Sequence, residues 1–225
     1  MSTEFVAAVK RGDRDTVARM LDADRSHLGA TDERGTPALL LAYYHGHPAV
    51  AEAMLAHRPE LGLYEAAAVG DAGRIRELVA TNGALLDAYA SDGFTALGLA
   101  AFFKRADAVR VLLELGADAH QASRPSGFTP LHSAVATDAA AASKDIVRTL
   151  LRADADPNAR SASGGTPLHT VAFTGDVELA RLLLAAGGDA TVKDDEGLTP
   201  LDIARERSNS EVAALLHDAV IGKSS

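Results

Sequence analysis

One segment recurs in this chain and restricts what it can fold into. Gly127-Phe128-Thr129-Pro130-Leu131-His132, Gly164-Gly165-Thr166-Pro167-Leu168-His169 and Gly197-Leu198-Thr199-Pro200-Leu201-Asp202 are three versions of one pattern. The fullest unit runs from Gly164 to Ala190. Gly164-Gly165 marks a turn, because glycine accepts the positive backbone angles a tight turn needs. Thr166 is placed to cap a helix, with Pro167 at the first helical position, where its missing N–H costs nothing. Leu168, Val171 and Ala172 form a narrow apolar stripe at helical spacing, and Gly175 ends the helix. The pattern predicts a second helix from about Val177 to Ala186, with Leu179, Leu182 and Leu183 on one face. Gly187 or Gly188 falls where a left-handed cap is expected. Helices shorter than about 12–15 residues are marginal alone in water, so such units must stack on one another.

The Thr-Pro-Leu-His-x-Val-Ala run, the helix-ending Gly175-Asp176, Leu182-Leu183-Leu184 and Gly187-Gly188-Asp189 together resemble the ankyrin repeat. The resemblance implies an all-α solenoid of about seven stacked helix-turn-helix repeats with short β-hairpin or turn tips. One domain over 1–225 is expected, with repeats near 2–30, 31–60, 61–89, 90–122, 123–160, 161–193 and 194–221. The match is closest in the fifth and sixth repeats and weakest in the first three. In the second repeat Pro37 replaces the motif Thr and Leu40 the motif His; in the seventh, Asp202 replaces the His.

The register is marked by Leu21, Leu55, Val79, Leu113, Leu151, Leu184 and Leu216. Most intervals lie near the family period of about 33 residues, but Leu55 to Val79 spans about 24. His57-Arg58-Pro59-Glu60 leads almost directly into the helix from Leu63 to Val69. The hairpin between the second and third repeats is therefore expected to be absent, leaving a notch in the hairpin row or a change of curvature. A domain boundary there is the alternative. The fifth repeat carries extra residues near Asp138 to Ala142, which are expected to lengthen its first helix, with Ser143 capping the second.

A net charge of -9, spread along the chain, argues against sequence-independent nucleic-acid binding, which needs a basic stripe. The absence of cysteine removes disulfides, thiolate metal sites and a cysteine nucleophile. It is compatible with a reducing cytosol, and a cytoplasmic location is expected. Met1-Ser2-Thr3-Glu4 lacks the pattern of a secretory signal, and no apolar run reaches the roughly 20 residues of a membrane span. No membrane partner is expected.

His132 and His169 occupy the motif position that, in ankyrin repeats, hydrogen-bonds backbone near neighbouring turns, so a structural role is expected. His45 and His47 are poorly spaced for one metal. Ser133, His132 and Asp138 can be named as a Ser-His-acid set, but sequence neighbours on a helix do not face each other. Asp194-Asp195-Glu196 lacks the alternating ligand spacing of a calcium loop. No catalysis, cofactor or metal is expected.

The resemblance places binding on the concave surface, formed by turn tips and the exposed ends of the first helices. Residues at those positions give the candidate site: Tyr44, His45, Phe94, Phe102, Phe103, Phe128, Thr137, Phe173 and Thr174. Its centre is expected at the fourth repeat, with an aromatic floor and charged ends. The implied function is a protein interaction module or scaffold, monomeric, that binds a protein or peptide. Two alternatives stay open: a regulatory or inhibitory subunit of one dedicated enzyme, and an enzyme with a pocket near the short third repeat beside His45, His47 and His57.

Overall fold

The computed structural model describes residues 2–124, 126–136 and 141–222. Fourteen α-helices lie among them in seven consecutive pairs. The first three pairs are α1 (Ser2–Arg11) with α2 (Arg14–Ala23), α3 (Ala38–Tyr44) with α4 (Pro48–Ala56), and α5 (Leu63–Val69) with α6 (Ala72–Thr81). The remaining four are α7 (Ala96–Phe102) with α8 (Ala106–Glu114), α9 (Pro130–Val135) with α10 (Ala141–Arg152), α11 (Pro167–Thr174) with α12 (Val177–Ala185), and α13 (Pro200–Glu206) with α14 (Ser210–Gly222).

The first helix of each pair stacks on the first helices of its neighbours, making an inner layer; the second helices form an outer layer. The inner helices are sandwiched, and their sequences show it. In α7, Ala96, Leu97, Leu99, Ala100 and Ala101 are all buried, leaving almost no polar face. The outer helices keep one wet side: α8 buries Ala108, Val109, Val111 and Leu112 and turns Asp107 and Arg110 outward. One apolar core runs the length of the stack, from Phe5 to Leu216. No helix among the described residues is long and apolar enough to cross a membrane.

The expected local signals act as anticipated in most places. Pro130, Pro167 and Pro200 open their helices. Gly175 ends α11 at φ +84°, and Gly187 adopts φ +91° after α12. Lys104 and Ser208 take the position that Gly175 holds in its own pair, each at φ +60°. Thr166 is the N-cap of α11 and forms a capping box with His169, whose ring takes the Thr166 hydroxyl at 2.9 Å and amide at 3.0 Å.

The fifth pair corrects the expectation about the insert. α9 ends at Val135, and it is the second helix that gains length, starting at Ala141. Ser143 lies inside α10 with its hydroxyl buried and without a hydrogen-bond partner. The helix-forming alanines before it carry the helix past the position where Ser143 would have capped it.

The connections from outer to next inner helix, except that between α4 and α5, end in turns, as the expectation of short hairpin or turn tips allows, and two of these carry a single β-bridge, Thr31 to Pro37 and Tyr89 to Thr95. From the fourth pair onward the tips bond to each other through backbone. Arg124 N–H donates to the Gly93 carbonyl (3.0 Å), Ala162 N–H to Ser126 (2.9 Å) and Asp195 N–H to Ser163 (3.1 Å).

Between α4 and α5 there is no such tip. The connection is 57–62, less than half as long as the others, in agreement with the short third repeat. The expected notch is not left open, however. The tip before α3 closes onto the tip before α7, so that a β-carbon on Gly35 would stand 3.6 Å from that of Ser91.

Candidate functional site: a groove under the meeting tips

Because those two tips meet, they roof a groove of about 1170 Å³ on the inner-helix side of the first two pairs, beneath the tip of the fourth. Thr3, Val6, Ala7 and Lys10 form one wall, at helical spacing along α1. Leu41, Tyr44 and His45 of α3 form the floor, and Asp32, Arg34, Ser91, Asp92 and Phe94 come from the two tips.

Most of the carboxylates here are already engaged. Asp32 accepts from the Arg34 and Thr36 amides at 3.0 Å and from Lys10 Nζ at 3.3 Å. Burial alone would raise its pKa; these donors outweigh that and hold it below the ordinary carboxylate value. Asp92 accepts from the Phe94 amide at 3.1 Å and from the Tyr44 hydroxyl at 2.6 Å. Burial, reinforced by the Asp92 carboxylate, raises the Tyr44 pKa, so the phenol stays protonated and donates. Tyr44 nonetheless keeps 36% of its surface exposed, and Arg34 and His45 face solvent.

Beside the groove the rings form a cluster. Phe103 contacts Tyr43 (centroids 5.5 Å apart), Tyr44 (5.4 Å) and Phe102 (5.1 Å, edge-on). The Arg105 guanidinium lies 5.5 Å above the Tyr43 ring and donates to the Ala68 carbonyl at 2.7 Å. Rings of α3 and the α7 end meet across α5 because that helix ends in the small Ala68-Val69-Gly70.

The candidate residues therefore fall into separate places. Tyr44, His45 and Phe94 line the groove; Phe102 and Phe103 are half-buried in the adjoining ring cluster. Phe128 is half-buried and stacks on His132 at 5.2 Å, within the packing of its own repeat. Phe173 and Thr174 stand at the far end of the stack, where Phe173 is 52% exposed under the Arg207 guanidinium at 3.5 Å. Thr137 lies outside the described residues, as does Asp138. The groove is centred on the first and second pairs and not on the fourth, because the short third repeat brings the fourth tip over α3. Arg34 and Asp92 were not among the sequence-based candidates, and Lys10, which holds in the first repeat the position of Tyr44, was not carried into the final set; no pattern within one repeat marks them.

The motif histidines are structural. His132 Nδ1 accepts from the Thr129 hydroxyl (2.9 Å) and amide (3.3 Å), which leaves Nε2–H to donate to the Gly165 carbonyl of the next tip at 3.2 Å. His169 does the same with Thr166 and the Leu198 carbonyl, also at 3.2 Å. Burial lowers the pKa of His132 to about 4 and that of His169 in the same direction. His45 and His47 stack at 6.2 Å, and His47 spends Nε2 on the Lys10 carbonyl at 3.1 Å. His57 pairs with Asp22 instead. No group of three or more metal-ligating side chains occurs among the described residues.

Stacked helix pairs, linked from the fourth pair onward by tip-to-tip bonds and, from the fifth and sixth repeats, by a histidine that reaches to the next, define a helical repeat protein. The chain belongs to the ankyrin-repeat family: the family model for ankyrin repeats (3 copies) matches residues 5–118, 63–161 and 138–224. Ankyrin repeats are generally protein–protein interaction modules. The chain is 44% identical over 95 residues to the Neurogenic locus Notch protein of Drosophila melanogaster, covering 42% of this chain and 3% of that protein. It is 42% identical over 73 residues to the 2-5A-dependent ribonuclease of Homo sapiens, covering 32% of this chain and 9% of that protein. It is 51% identical over 63 residues to a BTB/POZ domain and ankyrin repeat-containing protein of Lotus japonicus, covering 28% of this chain and 12% of that protein. The chain thus spans a small fraction of the length of these curated relatives.

Proposed function

We propose that this chain is a non-catalytic binding protein whose seven repeats act as one monomeric domain in the cytoplasm and hold a protein or peptide segment in the groove beneath the meeting tips. The carrying observation is the groove itself. It is large enough for several side chains, floored by a part-exposed tyrosine, and rimmed by Arg34 and His45, which keep hydrogen-bonding capacity free. A part-exposed aromatic beside an arginine is the composition that supplies most binding energy at protein interfaces. The internally engaged Asp32 and Asp92 fix the walls, so a ligand meets a preorganised surface.

The test is selection of peptides from a random displayed library against the whole chain. Bound peptides are then mapped by amide chemical shifts. Perturbation centred on Lys10, Arg34, Tyr44, His45 and Phe94, with binding weakened at least tenfold by Arg34→Glu, is the expected result. Perturbation confined to the outer helices, or no selected peptide, overturns the reading.

A further inference from the structure

We propose that the junction between the second and third helix pairs is a hinge, latched shut by the Tyr44 hydroxyl on Asp92, so that the groove has a closed and an open form. Three observations converge on this junction. The backbone tip-to-tip bonds that tie the fourth to seventh pairs have no counterpart across it among the described residues. The outer helices α4 and α6 barely touch, whereas other outer neighbours pack closely, and α3 with α5 is the loosest inner contact. The connection 57–62 divides between the two sides: His57 is held by Asp22 and Arg25 of the first repeat, whereas Arg74 of the third pair holds the Leu61 carbonyl at 3.0 Å and Glu60 at 3.7 Å.

Beyond the apolar core and the thin contact of α3 with α5, what bridges the gap is side chain reaching over the third repeat. Tyr44 bonds Asp92, the Tyr43 and Tyr44 rings rest on Phe103, and Gly35 abuts Ser91. Aromatic contacts slide at small cost, but a hydrogen bond to a carboxylate is directional. Losing one shifts an equilibrium by about tenfold or more. The latch joins the floor of the groove to its roof, so opening it moves one relative to the other. The inference stands whether or not the groove binds a peptide, because its test reads geometry alone.

The chain has no cysteine, so spin labels can be placed at will. One pair goes on cysteines replacing exposed Asp15 and His120, spanning the junction; a control pair replaces exposed His120 and Asp218, within the fourth to seventh pairs. Double electron–electron resonance on the native background is expected to give one narrow distance for each pair. Tyr44→Phe, which keeps the ring and removes the donor, is expected to broaden or split the spanning distance and leave the control unchanged; Asp92→Asn is expected to do so more weakly. An unchanged spanning distance in Tyr44→Phe overturns the latch, and broadening of both pairs overturns the hinge.

Discussion

Asn209 occupies the space that a β-carbon on Gly175 would need. An added Cβ there would lie 2.7 Å from Asn209 Oδ1, while Asn209 Nδ2 donates to the Ala172 and Phe173 carbonyls at the end of α11. The same device recurs elsewhere in the stack: His47 caps α1 against Gly12, and Arg105 caps α5 against Gly70. In each, the residue just before an outer helix reaches across to the preceding pair and satisfies orphan carbonyls at the end of its inner helix.

Two glycines separate backbone strain from this packing. Gly46 has φ +69° with open space around its would-be Cβ, and Gly175 has φ +84° without it. Gly46→Ala is expected to cost about 1–2 kcal/mol, the penalty of a left-handed non-glycine residue. Gly175→Ala is expected to cost about 1–3 kcal/mol more, as Asn209 gives up its carbonyls. Urea unfolding of the two variants checks the difference, and equal losses would contradict the packing argument.

Mild acid should weaken the stack through its buried histidines. His132 has a folded pKa of about 4 against an ordinary 6.5, so the unfolded chain binds the proton more readily. Its contribution is complete above about pH 6.5 and is lost as pH falls toward 4, amounting to roughly 2 kcal/mol between pH 7 and 5. His169 acts in the same direction, while Glu65, whose pKa burial raises, opposes it. Urea midpoints measured from pH 7 to 5 should fall, and His132→Gln should flatten the slope while lowering stability throughout.

A histidine bridges to the following repeat from the fifth and from the sixth repeat. Asp202 holds the corresponding position in the seventh repeat and, among the described residues, bonds only its own Thr199, at 2.6 Å to the hydroxyl and 2.9 Å to the amide. His169→Asp is expected to cost about 2 kcal/mol or more, because the Leu198 carbonyl loses its donor and a charge is buried. Asp202→His is expected to change stability by less than about 1 kcal/mol in this chain, since the Asp202 bonds it replaces are confined to Thr199 among the described residues. Thermal melts of both variants provide the comparison.

Lys104 should titrate early. Burial lowers its pKa to about 8, and its ammonium donates to the Ala134 carbonyl at 2.6 Å and the Ser133 carbonyl at 3.4 Å. The unfolded chain holds this proton more tightly, so stability should rise as pH climbs from about 8 toward the ordinary 10.5. A carbon-13 titration of the lysine side chains should find the Lys104 midpoint near 8, and Lys104→Met should abolish the rise.

The sixth repeat was legible in the sequence because its signals are local: Gly164, Thr166-Pro167, His169 and Gly175 each act within a few residues. Lys104 and Ser208 show the converse. Their left-handed backbone leaves no mark in residue type and is imposed by the repeats around them. Ser143 was misread because alanine propensity before it outweighed its capping preference. The missing tip was visible as a short interval, but its consequence was not. Whether Gly35 reaches Ser91, or Tyr44 reaches Asp92, depends on how three repeats stack, and no pattern within one repeat encodes that.

The bonded row of tips from the fourth pair to the seventh also bears on how the chain acquires its structure. In a linear array, stability is a sum of repeat terms and couplings between nearest neighbours, so the weakest coupling decides where cooperativity breaks. Here that is the boundary between α4 and α6. The C-terminal four repeats form the better-coupled block, in which ordering can nucleate and propagate. The first two repeats would then be last to order and first to melt, and their melting would dismantle the groove while most of the array is still folded.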